Sequence, residues 1–394
     1  MKALEGVIVI DASLAEAGTV ATQTLAFLGA EVYHVERPSP DMDNRYVGSI
    51  IRNSNKKSFT LDTKSDEGKE IMWKLIEKAD VFFESFAPGA WNRMGFSYEE
   101  VKKRNPEIIY VSLKGFAGAS DWGTCITYDP VAACSGGSAY LCGYEDFLPM
   151  LCGINVADSG TATHASMAIV MGVLYKKLTG KGQLIEIPMQ NVVIEYCRAA
   201  FAEYYATGKV RRSGNTYRGL KPTAPHNIYP TRGTDVTGNY IAISCSAEED
   251  SPDFFNLCTA MGRKDLLDDP RYATPALRYE NRFALDAEIS KWTYMHSKDQ
   301  AMNILAKEYR VPAGAVNSMS DLCDDEFTGS HILRRMPDPH IGELHMPIVP
   351  IDMEHHRIQA VTCDKHGTGN EYVYCDFLGM SKEELEDLKT KRII

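Results

Sequence analysis

The chain has 394 residues, 44% of them hydrophobic and 24% charged. That is the composition of a globular protein, at a length for which two domains are expected. Its formal charge is −11, from 42 Lys and Arg against 53 Asp and Glu. This argues against nucleic acid or an anionic membrane as a partner, and any anionic ligand must be met by local basic residues. No signal-like apolar segment precedes the first strand and no apolar run reaches about 18 residues, so no membrane association and a cytoplasmic location are expected. The ten cysteines are scattered without a C-x-x-C pair, as in reduced proteins, and His355-His356 lacks a third ligand nearby, so no metal is expected.

In chain order, Gly6-Val-Ile-Val-Ile-Asp11 reads as a strand buried on both faces of a parallel sheet. A helix over 17–29 and a strand over 31–36 complete a βαβ opening. The intervening turn has no G-x-G-x-x-G, so the topology is Rossmann-like without a dinucleotide fingerprint. The alternation continues with a helix over 66–79, a strand over 80–83, a helix over 97–105 and a strand over 108–113, as in a doubly wound sheet. A buried helix of roughly five turns follows Asp158 and stops at Gly180 and Gly182. Then come a strand over 183–188 and a long helix over 190–207. A strand over 240–245 and short amphipathic helices to about 324 form a second, α+β domain. A charged helix over 381–391 packs back on the first domain.

Asp158 stands where a helix N-cap belongs. It is equally placed to be a nucleophile kept ionised by the helix dipole and the free amides of the first turn. The chain has no G-x-S-x-G, H-E-x-x-H or P-loop. Candidate ligand contacts therefore lie at the carboxyl ends of the strands, where open α/β sheets bind ligands: Glu16, Arg37, Ser85 to Gly89, and Lys114 to Phe116. Arg52, Lys56, Lys57, Lys64 and Arg93 cluster near the same edge, as a polyphosphate ligand requires.

Six segments in order resemble the class III CoA-transferases, most closely the formyl-CoA transferase branch. They are 29–37, Asn53-Ser-Asn55-Lys56-Lys57-Ser58 with Leu61-Asp62, 88–96, Lys114-Gly115-Phe116, 128–137, and Asp158-Ser159 followed by 179–183. The second domain resembles the family through 261–272 and 311–314. The resemblance implies that Asp158 attacks an acyl-CoA thioester, and that CoA passes to a free carboxylic acid through covalent aspartyl intermediates. It also implies CoA contacts at Glu16, Ala17, Arg37, Leu61, Asp62, Thr63, Lys64, Ser85, Phe86, Ala87, Arg93, Tyr128 and Asp129, with amides at Gly136 and Gly137 as candidate oxyanion donors. In fold it implies a Rossmann-like large domain of residues 1–195 and 335–394, a linker 196–221, a small domain 222–330 and a second linker 331–334. Two such chains thread through each other as an interlocked-ring homodimer.

Three departures from that branch argue against oxalate as the acceptor. Glu16 stands in place of a glutamine near the reacting acyl group, adding negative charge beside Asp158 and raising its pKa. Ile126 replaces a lysine, and the stretch 218–227 lacks a glycine-rich loop. Two other readings fit parts of the same pattern. α-Methylacyl-CoA racemases share the fold but use a histidine where this chain has Tyr128, and a phenol is a poor base at neutral pH. A non-catalytic CoA-binding protein would use Asp158 as a cap alone. His164, further along the helix, reads as a packed or hydrogen-bonded residue rather than a catalytic one.

Overall fold

The computed structural model describes residues 2–39, 47–212, 214–215, 223–233, 238–338 and 342–394. Six parallel strands form the central sheet: β1 (Ile8–Ala12), β2 (Glu31–Glu36), β3 (Lys57–Thr60), β4 (Val81–Glu84), β5 (Ile109–Lys114) and β6 (Gln183–Pro188). Their order is β3-β2-β1-β4-β5-β6, so the winding reverses between β1 and β4. That reversal opens a crevice at the carboxyl ends of the two strands.

Successive residues of a strand face opposite sides, and here both sides are apolar. Val9, Val32, Val81, Phe83, Ile109 and Val111 meet helices α1 (Ala15–Phe27) and α8 (Val156–Thr179) on one side. Ile10, Tyr33, Phe82 and Tyr110 meet α3 (Asp66–Lys78) and the C-terminal helix Lys382–Thr390 on the other. Between these lie α2 (Val47–Asn53), α4 (Ala90–Arg93), α5 (Tyr98–Arg104), α6 (Asp129–Ser135) and α7 (Ser138–Leu141). Helices α9 (Met189–Tyr196) and α10 (Arg198–Thr207) follow β6. A hairpin of β10 (Leu333–Asp338) and β11 (Gly342–Pro347) carries a smaller core.

The chain forms two compact units, Met1–Gly136 with Cys152–Glu195 and Glu326–Ile394, and Gly137–Leu151 with Tyr196–Asp325. The sequence reading kept 137–151 in the large domain. These residues instead group with the second unit, where the Gly214 amide donates to Gly143 O (3.0 Å). The expected linker 196–221 begins as the helix α10, and residues 213 and 216–221 lie outside the described residues. In the second unit an antiparallel sheet of β7 (His226–Pro230), β8 (Tyr240–Ser244) and β9 (Ala313–Ala315) packs Tyr229, Ile241 and Ile243 against the helices Asp253–Ala260 and Arg282–Thr293.

At the centre of the first unit's polar framework is Lys56, whose ammonium is fully buried. It donates to Asp11 Oδ2 (2.9 Å), Thr19 O (2.8 Å) and Asn53 Oδ1 (3.0 Å), joining β1, α1 and α2. Asp11 also bonds Thr22 Oγ1, His34 Nδ1 and the Ser13 amide. Burial pushes the Asp11 carboxyl up, but Lys56 and His34 outweigh it and hold the group far below the usual carboxylate range. The sequence reading placed Lys56 with the polyphosphate-binding basic residues; it is instead an internal cross-link. Replacing Lys56 by Met leaves Asp11 with His34 alone as counter-charge and should cost about 3–5 kcal/mol in urea unfolding, with part recovered on adding Asp11→Asn, because breaking a buried ion pair is costlier than removing both charges.

Candidate active site at the first turn of helix α8

The β1–α1 turn passes through Ala15 at φ 59°, a left-handed conformation unusual for a residue with a Cβ. This strained step precedes Glu16 in the first turn of α1. At Gly18 a Cβ would lie 2.5 Å from Ser13 Cβ and 2.9 Å from Ser85 Oγ, so glycine is what allows α1 to approach the β4 exit. Ser85 Oγ in turn accepts from the Leu14 amide (2.8 Å) and donates to Leu14 O (3.0 Å), locking the two strand exits together.

Helix α8 packs on α1 through small residues, and Ser166 Oγ donates across to Ala21 O (3.1 Å). Its N-cap is Asn155, so Asp158 is not the cap, as the sequence suggested, but lies in the first turn. The capping group comes from another element. Asp129 Oδ1, at the start of α6, accepts from the amides of Ala157 (2.8 Å) and Asp158 (3.0 Å). Asn155 uses its side chain to donate to Glu16 Oε2 (2.8 Å), and Arg52 Nη1 stands 4.0 Å from the same oxygen. Asp158, Asp129 and Glu16 thus meet at one helix mouth with Arg52.

The electrostatics are opposite to those expected of a capping carboxylate. Burial pushes Asp158 up to about 6, the charges of Asp129 and Glu16 add to the rise, and Arg52 opposes it. Such a group is still ionised at neutral pH and more basic than an ordinary aspartate. Its free energy sign follows. A carboxyl whose folded pKa lies above its ordinary value stabilises the fold at low pH, and that contribution is lost as pH rises through about 6.

A cavity of about 480 Å³ opens at the ends of β1, β2 and β4. Arg37, Leu61, Asp62, Thr63, Lys64, Phe86 and Arg93, all expected at the ligand, line it together with Trp91 and Met94. Arg37, Lys64 and Arg93 are exposed cations there. Lys57 does not join them: its ammonium lies 4.0 Å from the Tyr372 ring centroid. Ala17 is buried in α1, Ser85 bonds Leu14, and Ala87 and Tyr128 are exposed, none of them lining this cavity. Gly136 closes α6 and its amide donates to Ala132 O (2.8 Å), so that amide is engaged within the helix rather than offered to an oxyanion as expected. Gly137, in a left-handed conformation, opens α7. His164 Nδ1 bonds Gly160 O (2.9 Å) in its own helix.

Several residues the sequence did not signal hold the cavity in place. His366 Nε2 donates to Arg37 O (3.0 Å), Asn370 Oδ1 accepts from the Thr60 amide (2.8 Å), and Ile393 O accepts from the Asp62 amide (2.7 Å). These contacts come from a segment about 300 residues further along the chain, which no local pattern announces. His356, half of the pair considered for metal, accepts at Nδ1 from the Ala3 amide and donates at Nε2 to Phe27 O. No group of three or more potential metal ligands occurs among the described residues.

A parallel sheet with a basic cavity at its switch point is where an open α/β fold takes an anionic ligand, and a carboxylate stands at the adjoining helix mouth. Residues 4–363 match CoA-transferase family III, and the chain belongs to that family. It is 33% identical over its whole length to a formyl-CoA:oxalate CoA-transferase of Streptomyces coelicolor, 99% of which is covered. It is 35% identical to one of Bradyrhizobium sp. over 82% of this chain and 81% of that one. Among solved structures, a CAIB/BAIF family protein from Brucella suis superposes with a TM-score of 0.83 at 26% identity, covering 95% of this chain and 99% of the other. The protein is therefore a class III CoA-transferase, an enzyme whose substrates are a CoA thioester and a carboxylate.

Neutralising Asp129 tests the electrostatics of the mouth. Asp129→Asn keeps an oxygen acceptor but removes the charge, so Asp158 should titrate below its value of about 6. Carbodiimide labelling, which needs the protonated acid, would read this at Asp158 by mass spectrometry. Asp129→Ala should in addition cost about 1 kcal/mol through loss of the cap.

Proposed function

We propose that the enzyme moves CoA from an acyl-CoA donor to a free carboxylic acid through covalent intermediates on Asp158. The observation that carries this reading is the placement of Asp158, a part-buried carboxylate in the first turn of α8 beside Asp129, Glu16 and Arg52, a setting that raises its proton affinity toward about 6. It is basic enough to be a better nucleophile than an exposed aspartate and is still ionised at neutral pH. The carboxylate adds to the thioester carbonyl, and the C–S bond breaks to give an acyl–aspartyl anhydride and CoA thiolate. The thiolate then attacks the aspartyl carbonyl, releasing the donor's acid as its carboxylate and leaving CoA on Asp158. The acceptor's carboxylate adds to that thioester and displaces CoA thiolate. The thiolate finally takes the new acyl group and frees Asp158. A carboxylate enters and a carboxylate leaves, so no net proton is needed.

In this reading Arg37, Lys64 and Arg93 meet the phosphates of CoA, with the 61–64 and 85–87 loops along the rest of the molecule. The relatives' named substrates make formyl-CoA and oxalate the first pair to assay, although Glu16 disfavours a dianion. The ten free cysteines suit a reducing, cytoplasmic setting, and no described helix is long and apolar enough to cross a membrane.

We also infer a homodimer, of the interlocked kind that the family resemblance implies. On α8, Met167, Met171, Leu174 and Leu178 repeat at helical spacing and are 53%, 55%, 57% and 76% exposed. A face of that kind asks for a cover, and a second copy supplies it. Light scattering after size exclusion should give twice the 43.8 kDa chain mass, and Met171→Asp with Leu174→Asp should yield monomers or insoluble protein.

Incubation with an acyl-CoA should leave an adduct on Asp158 detectable by mass spectrometry and cleaved by hydroxylamine, and Asp158→Ala and Asp158→Asn should both abolish exchange. The acid limb of the pH–rate profile should fall off near pH 6, where Asp158 takes up its proton. Asp158→Asn should be more stable than the parent at pH 8, the gap closing as pH falls through about 6. Exchange retained without an aspartate at 158 would rule out the covalent route.

A further inference from the structure

Each turnover brings the acceptor acid, an anion, to a mouth already holding the carboxylates of Glu16 and Asp129. Repulsion from both opposes its approach to the aspartyl carbonyl. Arg52 brings a positive charge to this mouth, its Nη1 4.0 Å from Glu16 Oε2, and it opposes the rise in the proton affinity of Asp158. We propose that Arg52 receives the carboxylate of the acceptor acid, and that Glu16 beside it excludes acids with a second carboxylate, making the enzyme selective for monocarboxylates. This rests on the transferase reading above and specifies its second substrate.

The placement of Arg52 is built into the fold. It occupies the last turn of α2, and the residues on either side of it are fastened to α1. Asn53 Oδ1 accepts from Lys56 Nζ (3.0 Å), whose second bond goes to Thr19 O in α1. Gln23 Nε2, also on α1, donates to Ser54 Oγ (2.7 Å) and to Ile51 O. Glu16 is the other half of the arrangement, oriented by Asn155 Nδ2 at 2.8 Å from the opposite side, three residues ahead of Asp158. The side chains of Arg52 and Glu16 are 22% and 27% exposed. They are sheltered enough for their charges to matter and open enough for a small acid to reach.

The chemistry of the pair sets the substrate class. A planar guanidinium offers a fork of N–H donors matched to one carboxylate. With one cation against two fixed carboxylates the mouth is already net negative, so an acid is held only through the directed N–H bonds of that one guanidinium, which serves a single carboxylate. A second one on a short dicarboxylate would lie against Glu16 without a counter-charge. A hydroxyl or ammonium on the acid is instead welcome there, because Glu16 accepts hydrogen bonds.

The test separates the acceptor step from the donor step. Steady-state CoA transfer is measured at pH 8, where Asp158 is ionised with or without Arg52, using acetate, lactate, oxalate and succinate as acceptors. Adduct formation from acyl-CoA alone is followed separately by mass spectrometry. Arg52→Gln should raise KM for monocarboxylates roughly 10- to 100-fold while slowing adduct formation much less, as loss of a charge-assisted contact to the acceptor requires. Arg52→Lys should recover part of the KM. Glu16→Gln should raise kcat/KM for oxalate and succinate relative to acetate by about 10-fold or more.

An unchanged acceptor KM in Arg52→Gln, or an unchanged ratio of acids in Glu16→Gln, overturns the inference. So does a loss of adduct formation as large as the loss in the acceptor step, unrelieved by Arg52→Lys, because that is the mark of a structural role. Transfer without an adduct would defeat the covalent reading alone, since the acceptor KM still reports on Arg52.

Discussion

The buried ammonium of Lys56 is the constraint on which this site depends. With hydrogen bonds to β1, α1 and α2, it joins all three elements at one point, where Thr22 on Asp11 and Gln23 on Ile51 O each join only two. Apolar packing is tolerant of sliding, whereas a buried charge with three acceptors has one acceptable position. From that position follow the first turn of α1, which carries Glu16, and the end of α2, which carries Arg52. An interior ion pair adds little net stability, and here its consequence is registry.

A second constraint is the mouth of α8. The amides of its first turn are engaged by Asp129, not by a residue of the helix itself. An anion fixed there satisfies the orphan donors and the helix dipole, so Asp158 is spared that duty. It is left beside two like charges in a part-buried setting, and its proton affinity rises rather than falls. A cap would have given a weaker base. Division of labour between two aspartates gives one structural carboxylate and one of raised proton affinity, the proposed nucleophile, a pattern that recurs wherever paired acids have different environments.

The cavity at the sheet's edge shows why distant sequence matters to a local site. Its basic residues come from the loops after β2, β3 and β4. The backbone after β2 and at the end of β3 is held by His366, Asn370 and Ile393, near the other end of the chain. A C-terminal segment that reads locally as a mere charged helix therefore helps brace the loops that line the cavity.

The alternating apolar strands and intervening helices were readable from the residues, because burial on both faces of a parallel sheet enforces continuous apolar runs. Strands β2 and β6 fall where the residue pattern puts them, β1, β4, β5 and β8 differ by a residue or two, and β7, β9, β10 and β11 have no counterpart in it. β3 was missed, since Lys57-Ser-Phe-Thr60 shows one buried aromatic and no run. The expected single helix over 190–207 breaks at Cys197. Asp158, Glu16, Asp129 and the basic residues were legible as types at strand and helix ends. Their partnerships were not: that Asp129 caps, that Asn155 holds Glu16, that Lys56 is interior and Arg52 stands at the mouth. Such facts depend on distances between groups far apart in the chain. Sequence by itself determined which elements form and which chemistry is available. Tertiary structure decided which carboxylate caps the helix and which has its proton affinity raised, because the energy of a charge depends on its neighbours in space.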